Sequence, residues 1–124
     1  MAGLTLDAGA LIAYERGAFE ARRILTAAFR QGVTTTIPAV VLAEVWRGDV
    51  KDAPVARLLK WCRVEPLDES RARAAGALRR NIAGAGAVDA CVAFGVRERG
   101  DAIATSDPED MRRLLGPDFT ILPV

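Results

Sequence analysis

Val33-Thr34-Thr35-Thr36-Ile37-Pro38-Ala39-Val40-Val41-Leu42-Ala43-Glu44-Val45-Trp46 passes from one backbone grammar to another without a linker. The first five residues are all β-branched, which suits a strand, and Pro38 closes it. From Ala39 to Arg47 the spacing changes to that of a helix. Ala39, Leu42, Ala43 and Trp46 form one apolar stripe, and Val40 and Val41 share the face of Glu44. A helix apolar nearly all round is expected to be buried.

The same alternation runs outward in both directions. Upstream, Gly3–Leu6 is a first strand, followed by a helix over Ala8–Arg16 and a break at Gly17. A second helix spans Ala18–Gln31, with Ala21, Ile24, Leu25 and Ala28 turned inward. Downstream, Asp52 and Pro54 open a short helix through Cys62. Val64–Leu67 is a third strand, and Asp68 or Ser70 starts a helix to about Ala83. Past Gly84-Ala85-Gly86 come a helix at Val88–Arg99, a strand at Ala102–Thr105, a helix at Pro108–Leu115 and a short last strand at Phe119–Leu122. Strands alternating with helices predict an α/β fold, a single-domain α/β/α sandwich with a mostly parallel sheet. There is no repeat, linker or low-complexity segment, and 124 residues suit one domain over 1–124.

Composition narrows the function. Apolar residues make up 51%, which argues against disorder. No apolar run reaches the ~18 residues that cross a bilayer, and Met1–Asp7 has no basic n-region of a signal peptide. Cys62 and Cys91 lack metal-ligand spacing and read as reduced core residues of a cytoplasmic protein. A net charge of +1 excludes a globally basic nucleic-acid binder, though not a local patch. Lys51 and Lys60 are the only lysines beside many arginines. This is either compositional bias or a preference for guanidiniums, which suit phosphate. Arg47, Arg112 and Arg113 lie near enough to the motifs below to touch phosphate, although solvated surface is the simpler reading. The chain has no histidine. Hydrolysis here must therefore rest on carboxylates, holding a hard cation through oxygen.

Four acids stand out by position. Asp7 closes the first strand, where open parallel sheets place their ligands, though it also fits the N-cap of the next helix. Glu44 is the only ionisable residue between Pro38 and Trp46. Burying it unpaired would cost several kcal/mol, and an ion pair with Arg47 at i,i+3 returns only ~0.2–0.5 kcal/mol. Asp89 is the lone charge between Arg80 and Arg97, with Val92, Ala93 and Val96 along its helical face; a dipole-stabilised position at a helix start is the alternative. Asp107 follows the fourth strand in Thr105-Ser106-Asp107-Pro108-Glu109-Asp110, which is also good helix-start grammar. If these acids converge, they cannot all stay ionised without a compensating cation. Mg²⁺ or Mn²⁺ fits such a set and supports phosphodiester hydrolysis.

At these residues the chain resembles PIN-domain nucleases of the VapC toxin type. Leu6-Asp7-Ala8-Gly9-Ala10-Leu11-Ile12, Ile37–Val45 with Glu44, and Val88-Asp89-Ala90 through Asp107-Pro108-Glu109-Asp110-Met111 carry the resemblance. It implies a five-stranded parallel sheet flanked by helices, a divalent-metal site and single-strand-accessible RNA as substrate. Asp7, Glu44, Asp89 and Asp107 would be the catalytic and metal-site acids, with Asp110 peripheral. It also implies a homodimer and a cognate antitoxin that blocks the site. Two positions depart from the pattern: Gly9 stands where many members carry Ser or Thr, and Met111 where Phe is common. A degenerate PIN fold that only binds RNA or protein would predict a lost acid, and all four are present. A HAD-like phosphatase would need a second acid at position 9, and a receiver-like domain a late lysine; this sequence has neither.

Overall fold

The computed structural model describes residues 2–124. Among them five strands and seven α-helices alternate as β1 (Gly3–Leu6), α1 (Ala8–Glu15), α2 (Phe19–Arg30), β2 (Thr34–Pro38), α3 (Ala39–Val45), α4 (Ala53–Leu59), β3 (Arg63–Glu65), α5 (Glu69–Leu78), α6 (Ala87–Arg99), β4 (Ala102–Thr105), α7 (Pro108–Leu115) and β5 (Ile121–Pro123). A 3-10 turn at Val50–Asp52 leads into α4. Every strand pairing is parallel, in the order β3-β2-β1-β4-β5. Leu4 of the central strand is level with Thr35 of β2 and Ala102 of β4. All residues of β1 and β4 are buried, as strands covered on both faces must be.

Right-handed crossovers fix the layers. Connections running outward from β1 to β2 and β3 put α1–α4 on one face. Those running back across to β4 and β5 put α5–α7 on the other. The helix packing agrees: α1 lies against α2, α3 and α4, and α6 lies against α5 and α7. The order reverses beside β1, because the chain leaves it for β2 on one side and returns to β4 on the other. At such a reversal the loops after the two strands part and leave a crevice outside their carboxyl ends. Asp7 follows β1 there, and Ser106 and Asp107 follow β4.

The stripe expected on α2 is the one buried: Ala21, Ile24, Leu25 and Ala28. Several boundaries differ from the sequence reading. β3 stops at Glu65, two residues short of Leu67, because Pro66 cannot donate to a ladder. α5 ends at Leu78 instead of Ala83; the chain beyond it closes in turns, with Arg79 donating a side-chain hydrogen bond to the Ala85 carbonyl at 3.0 Å. α4 ends at Leu59, before Cys62. Asp52 makes no side-chain cap for α4. It is buried, and its carboxylate accepts backbone N–H groups of Arg47, Gly48 and Asp49. β5 lies one to two residues later than expected, pairing Ile121 with Ile103. Both cysteines are free and half-buried, packed against the core and not inside it. Burial pushes the Cys62 thiol up to about 11, so it stays protonated at neutral pH. No helix among the described residues is long and apolar enough to cross a membrane.

Candidate active site

Asp7 stands where β1 hands over to α1, with an extended backbone and only 6% exposure. Its Oδ1 accepts the Ala10 N–H at 2.8 Å, so it does cap α1. A cap needs no burial, however. Burial pushes the Asp7 carboxyl above its ordinary value. The Thr105 hydroxyl and the N–H groups of Ala10 and Gly9 pull it back, the charge of Asp107 pushes it up again, and the net shift is upward.

Asp107 mirrors this arrangement across the crevice. It caps α7, with Oδ1 3.4 Å from the Asp110 N–H, and its own N–H donates to Thr105 Oγ1 at 2.9 Å. Thr105 is fully buried at the end of β4. Its hydroxyl lies beside one acid and holds the backbone of the other. The sequence reading took Thr105 only as part of a turn motif; its role depends on β1 and β4 being neighbours.

Asp89 is half-buried in the first turn of α6, whose N-cap is Gly86 and carries no side-chain cap. The helix dipole favours a carboxylate there. Even so its carboxyl is raised, first by burial and then by the negative charges of Asp7, Asp110, Asp107 and Glu44. No arginine or lysine is among the largest influences on Asp7 or Asp89. Asp7, Glu44 and the α7 acids Asp107 and Asp110 thus come from three other parts of the chain into the field of Asp89.

The ground on which Glu44 was expected does not hold. α3 buries only Val41 and Val45, and Glu44 is exposed. The helix ends at Val45, at the rim of the molecule, so the stripe of Ala39, Leu42, Ala43 and Trp46 faces outward and lines a surface groove with Leu59. Trp46 is 44% exposed. Arg47 pairs with Glu15 at 2.6 Å and lies 3.7 Å from Asp52. Glu44 is in no ion pair among the described residues, and it sits in the last turn of its helix, where the dipole disfavours an acid. Its position is therefore unexplained by local stability, for a different reason than burial.

The arginines near the motifs are committed elsewhere. Arg112 donates to the carbonyls of Gly116 and Phe119 at 2.8 and 2.9 Å. Arg113 lies 3.4 Å from Asp110 and hydrogen-bonds the Ala83 carbonyl.

Among the described residues no three carboxylates stand close enough to grip an ion between them. The donor chemistry nonetheless fits a hard divalent cation. Mg²⁺ keeps several waters and is usually held through one or two carboxylates, and among these acids only Asp110 has an arginine, Arg113, in ion-pair contact among the described residues. Asp7 and Asp89, raised by burial and by like charge, are the residues that would hold it, with Asp107 and Glu44 beside them.

Neither a family model nor a curated protein sequence matches the chain. Solved structures do. VapBC2 from Rickettsia felis bound to a DNA fragment from their promoter matches with a TM-score of 0.78 and 14% identity, over 98% of each chain. DNA-bound VapBC from Salmonella typhimurium matches with a TM-score of 0.75 and 18% identity, over 98% of this chain and 97% of the other. FitAB bound to an IR36 DNA fragment matches with a TM-score of 0.71 and 16% identity, over 97% and 94%. At these identities the likeness speaks for architecture: over nearly its whole length the chain has the PIN-like α/β fold of VapC- and FitB-type chains.

Proposed function

We propose that this chain is a divalent-metal-dependent endoribonuclease, the toxin of a cytoplasmic toxin–antitoxin pair, with Asp7, Glu44, Asp89 and Asp107 as its catalytic and metal-site acids. The observation that carries this reading is the gathering of acids where the paired strands β1 and β4 end, with Asp7 after one and Asp107 after the other and Asp89 raised by burial and by the charges of its acid neighbours. Bound there, Mg²⁺ or Mn²⁺ would supply compensating charge and Lewis acidity for in-line phosphodiester displacement. Asp7 and Asp107 each spend one oxygen on a helix N–H, which fixes the direction of the other. Glu44 is exposed at the rim and in no ion pair among the described residues, so its carboxylate is free to face a substrate. The matched structures are VapBC and FitAB assemblies on DNA. They support a protein antitoxin as partner; the homodimer rests on the sequence resemblance alone.

Cleavage of single-stranded RNA in the presence of Mg²⁺ or Mn²⁺, and its loss in excess EDTA, tests the reading. The products should carry 5′-phosphate and 3′-hydroxyl ends. The competing route through the RNA's own 2′-hydroxyl needs an acid–base pair working near neutral pH, usually histidine, and the chain has none. Undiminished cleavage in chelator, or 2′,3′-cyclic phosphate ends, would overturn it.

A further inference from the structure

Gly9 and Ser106 come from opposite ends of the sequence and share one space. Gly9 lies in the first turn of α1, two residues after Asp7; Ser106 directly follows β4 and precedes Asp107. A Cβ built on Gly9 would fall 1.8 Å from Ser106 Oγ, 2.6 Å from its Cβ and 3.2 Å from its backbone N. No side chain fits at position 9 while Ser106 keeps its place. The Ser106 hydroxyl thus stands where a side chain at position 9 would begin.

The simpler account is that Ser106 starts α7. It does not: the N-cap is Asp107, whose carboxylate accepts the Asp110 N–H, and the turn is held by Thr105 Oγ1. Ser106 is exposed, so it fills no core void either. Its two chain neighbours are the threonine beside Asp7 and the acid across the crevice.

We propose that Ser106 is a positioning residue of the carboxylate site, supplying from the turn after β4 a hydroxyl that position 9 of α1 lacks. It rests on the metal-nuclease reading above. With a cation held by these acids, the hydroxyl would be a hydrogen-bond partner for its water or for a phosphate oxygen. Gly9 is the complementary half of this device, since any side chain there would expel it.

A swap tests the pair. Mn²⁺ affinity by titration calorimetry, RNA cleavage and the metal-free melting temperature are measured for the wild type, Ser106→Gly, Gly9→Ser and the double variant. Ser106→Gly should bind Mn²⁺ about 10-fold more weakly, the usual cost of losing an outer-sphere partner. Gly9→Ser should lose affinity and melt lower, because the overlap pushes the turn aside. The double variant should recover most of both losses, a non-additivity expected only of groups that share one space. Ser106→Ala, which keeps the Cβ and removes only the hydroxyl, should match Ser106→Gly in affinity at wild-type stability, and it decides the matter even if Gly9→Ser fails to fold. Wild-type Mn²⁺ affinity in Ser106→Ala would sink the inference while leaving the nuclease reading intact. A wild type that neither binds Mn²⁺ nor cleaves RNA would remove that reading first.

Discussion

Helix α6 carries an acid site at one end and a salt-bridge network at the other, and the two treat carboxylates in opposite ways. Asp89 in its first turn is raised by burial and then by the charges of four other acids, of which only Asp110 has an arginine in ion-pair contact among the described residues. About 15 Å away, at its last residue, Arg99 donates to Asp101 at 2.8 Å and to the Thr5 hydroxyl at 2.8 Å, and pairs with Glu65. Arg71 closes the network, reaching Glu65 at 2.8 Å and Glu98 at 2.5 Å while lying over the Phe94 ring. Even the space is prepared: a Cβ at Gly95 would fall 2.9 Å from both terminal nitrogens of Arg99 and from Glu65 Oε1. Buried Asp101 is thus satisfied by Arg99 and Thr5. Where the fold needs an acid for its own stability, it supplies the partner. The same molecule that surrounds Asp101 with donors leaves Asp89 without one, so the imbalance at Asp89 is a property of that site and not a shortage of arginine.

The contrast can be broken at either end. Arg99→Met should cost the most, roughly 3–5 kcal/mol of unfolding free energy, because it strands Asp101 and part of Glu65 without a cation. Activity per folded molecule should be unchanged, so a denaturation midpoint close to wild type would show the network to be ornamental. Asp89→Asn should reverse that pattern. Losing an outer-sphere group costs 10–100-fold, so loss of a direct ligand should lower cleavage by at least ~100-fold. Stability should stay level or rise, because the amide keeps the shape and removes repulsion. Retained cleavage in a destabilised Asp89→Asn protein would make Asp89 structural.

The smallest effect is a matter of pH. The carboxyls of Asp7 and Asp89 are raised in the folded protein, so the folded state binds protons more tightly than the unfolded one. Their contribution to stability is present below the ordinary carboxylate range and is lost as pH rises through the folded-state values. In metal-free buffer the melting temperature of Asp89→Asn relative to wild type should therefore climb from about pH 4 upward. Adding Mn²⁺ should shrink the gap. A difference that is flat in pH would mean that the acids do not feel one another.

Much of the placement of the candidate site is legible in the sequence, but not always for the right reason. The positions of Asp7 and Asp107 at strand ends are marked locally, by a β-branched or apolar run giving way to helix-start residues. Asp89 was found as a lone charge in an apolar helix, and it is indeed half-buried. Glu44 was chosen by the same rule, which misjudged its surroundings: a seven-residue helix at the rim exposes the stripe that periodicity assigns to the core. Periodicity tells which residues share a face and not whether another element covers it. Thr105 carries no such local mark, since its neighbour Asp7 follows a strand that meets its own only in three dimensions.

By itself the sequence determined the alternation of strands and helices, because steric preferences and hydrophobic period act over a few residues. It determined as well that no histidine takes part in any chemistry here, because the chain has none. Tertiary structure alone decided that β4 returns to the other side of β1, since pairing partners are chosen by long-range burial. From that choice follow the crevice, the unbalanced field on Asp89 and the overlap between Gly9 and Ser106. Two residues cannot occupy one space, and only the folded chain brings these two to the same place.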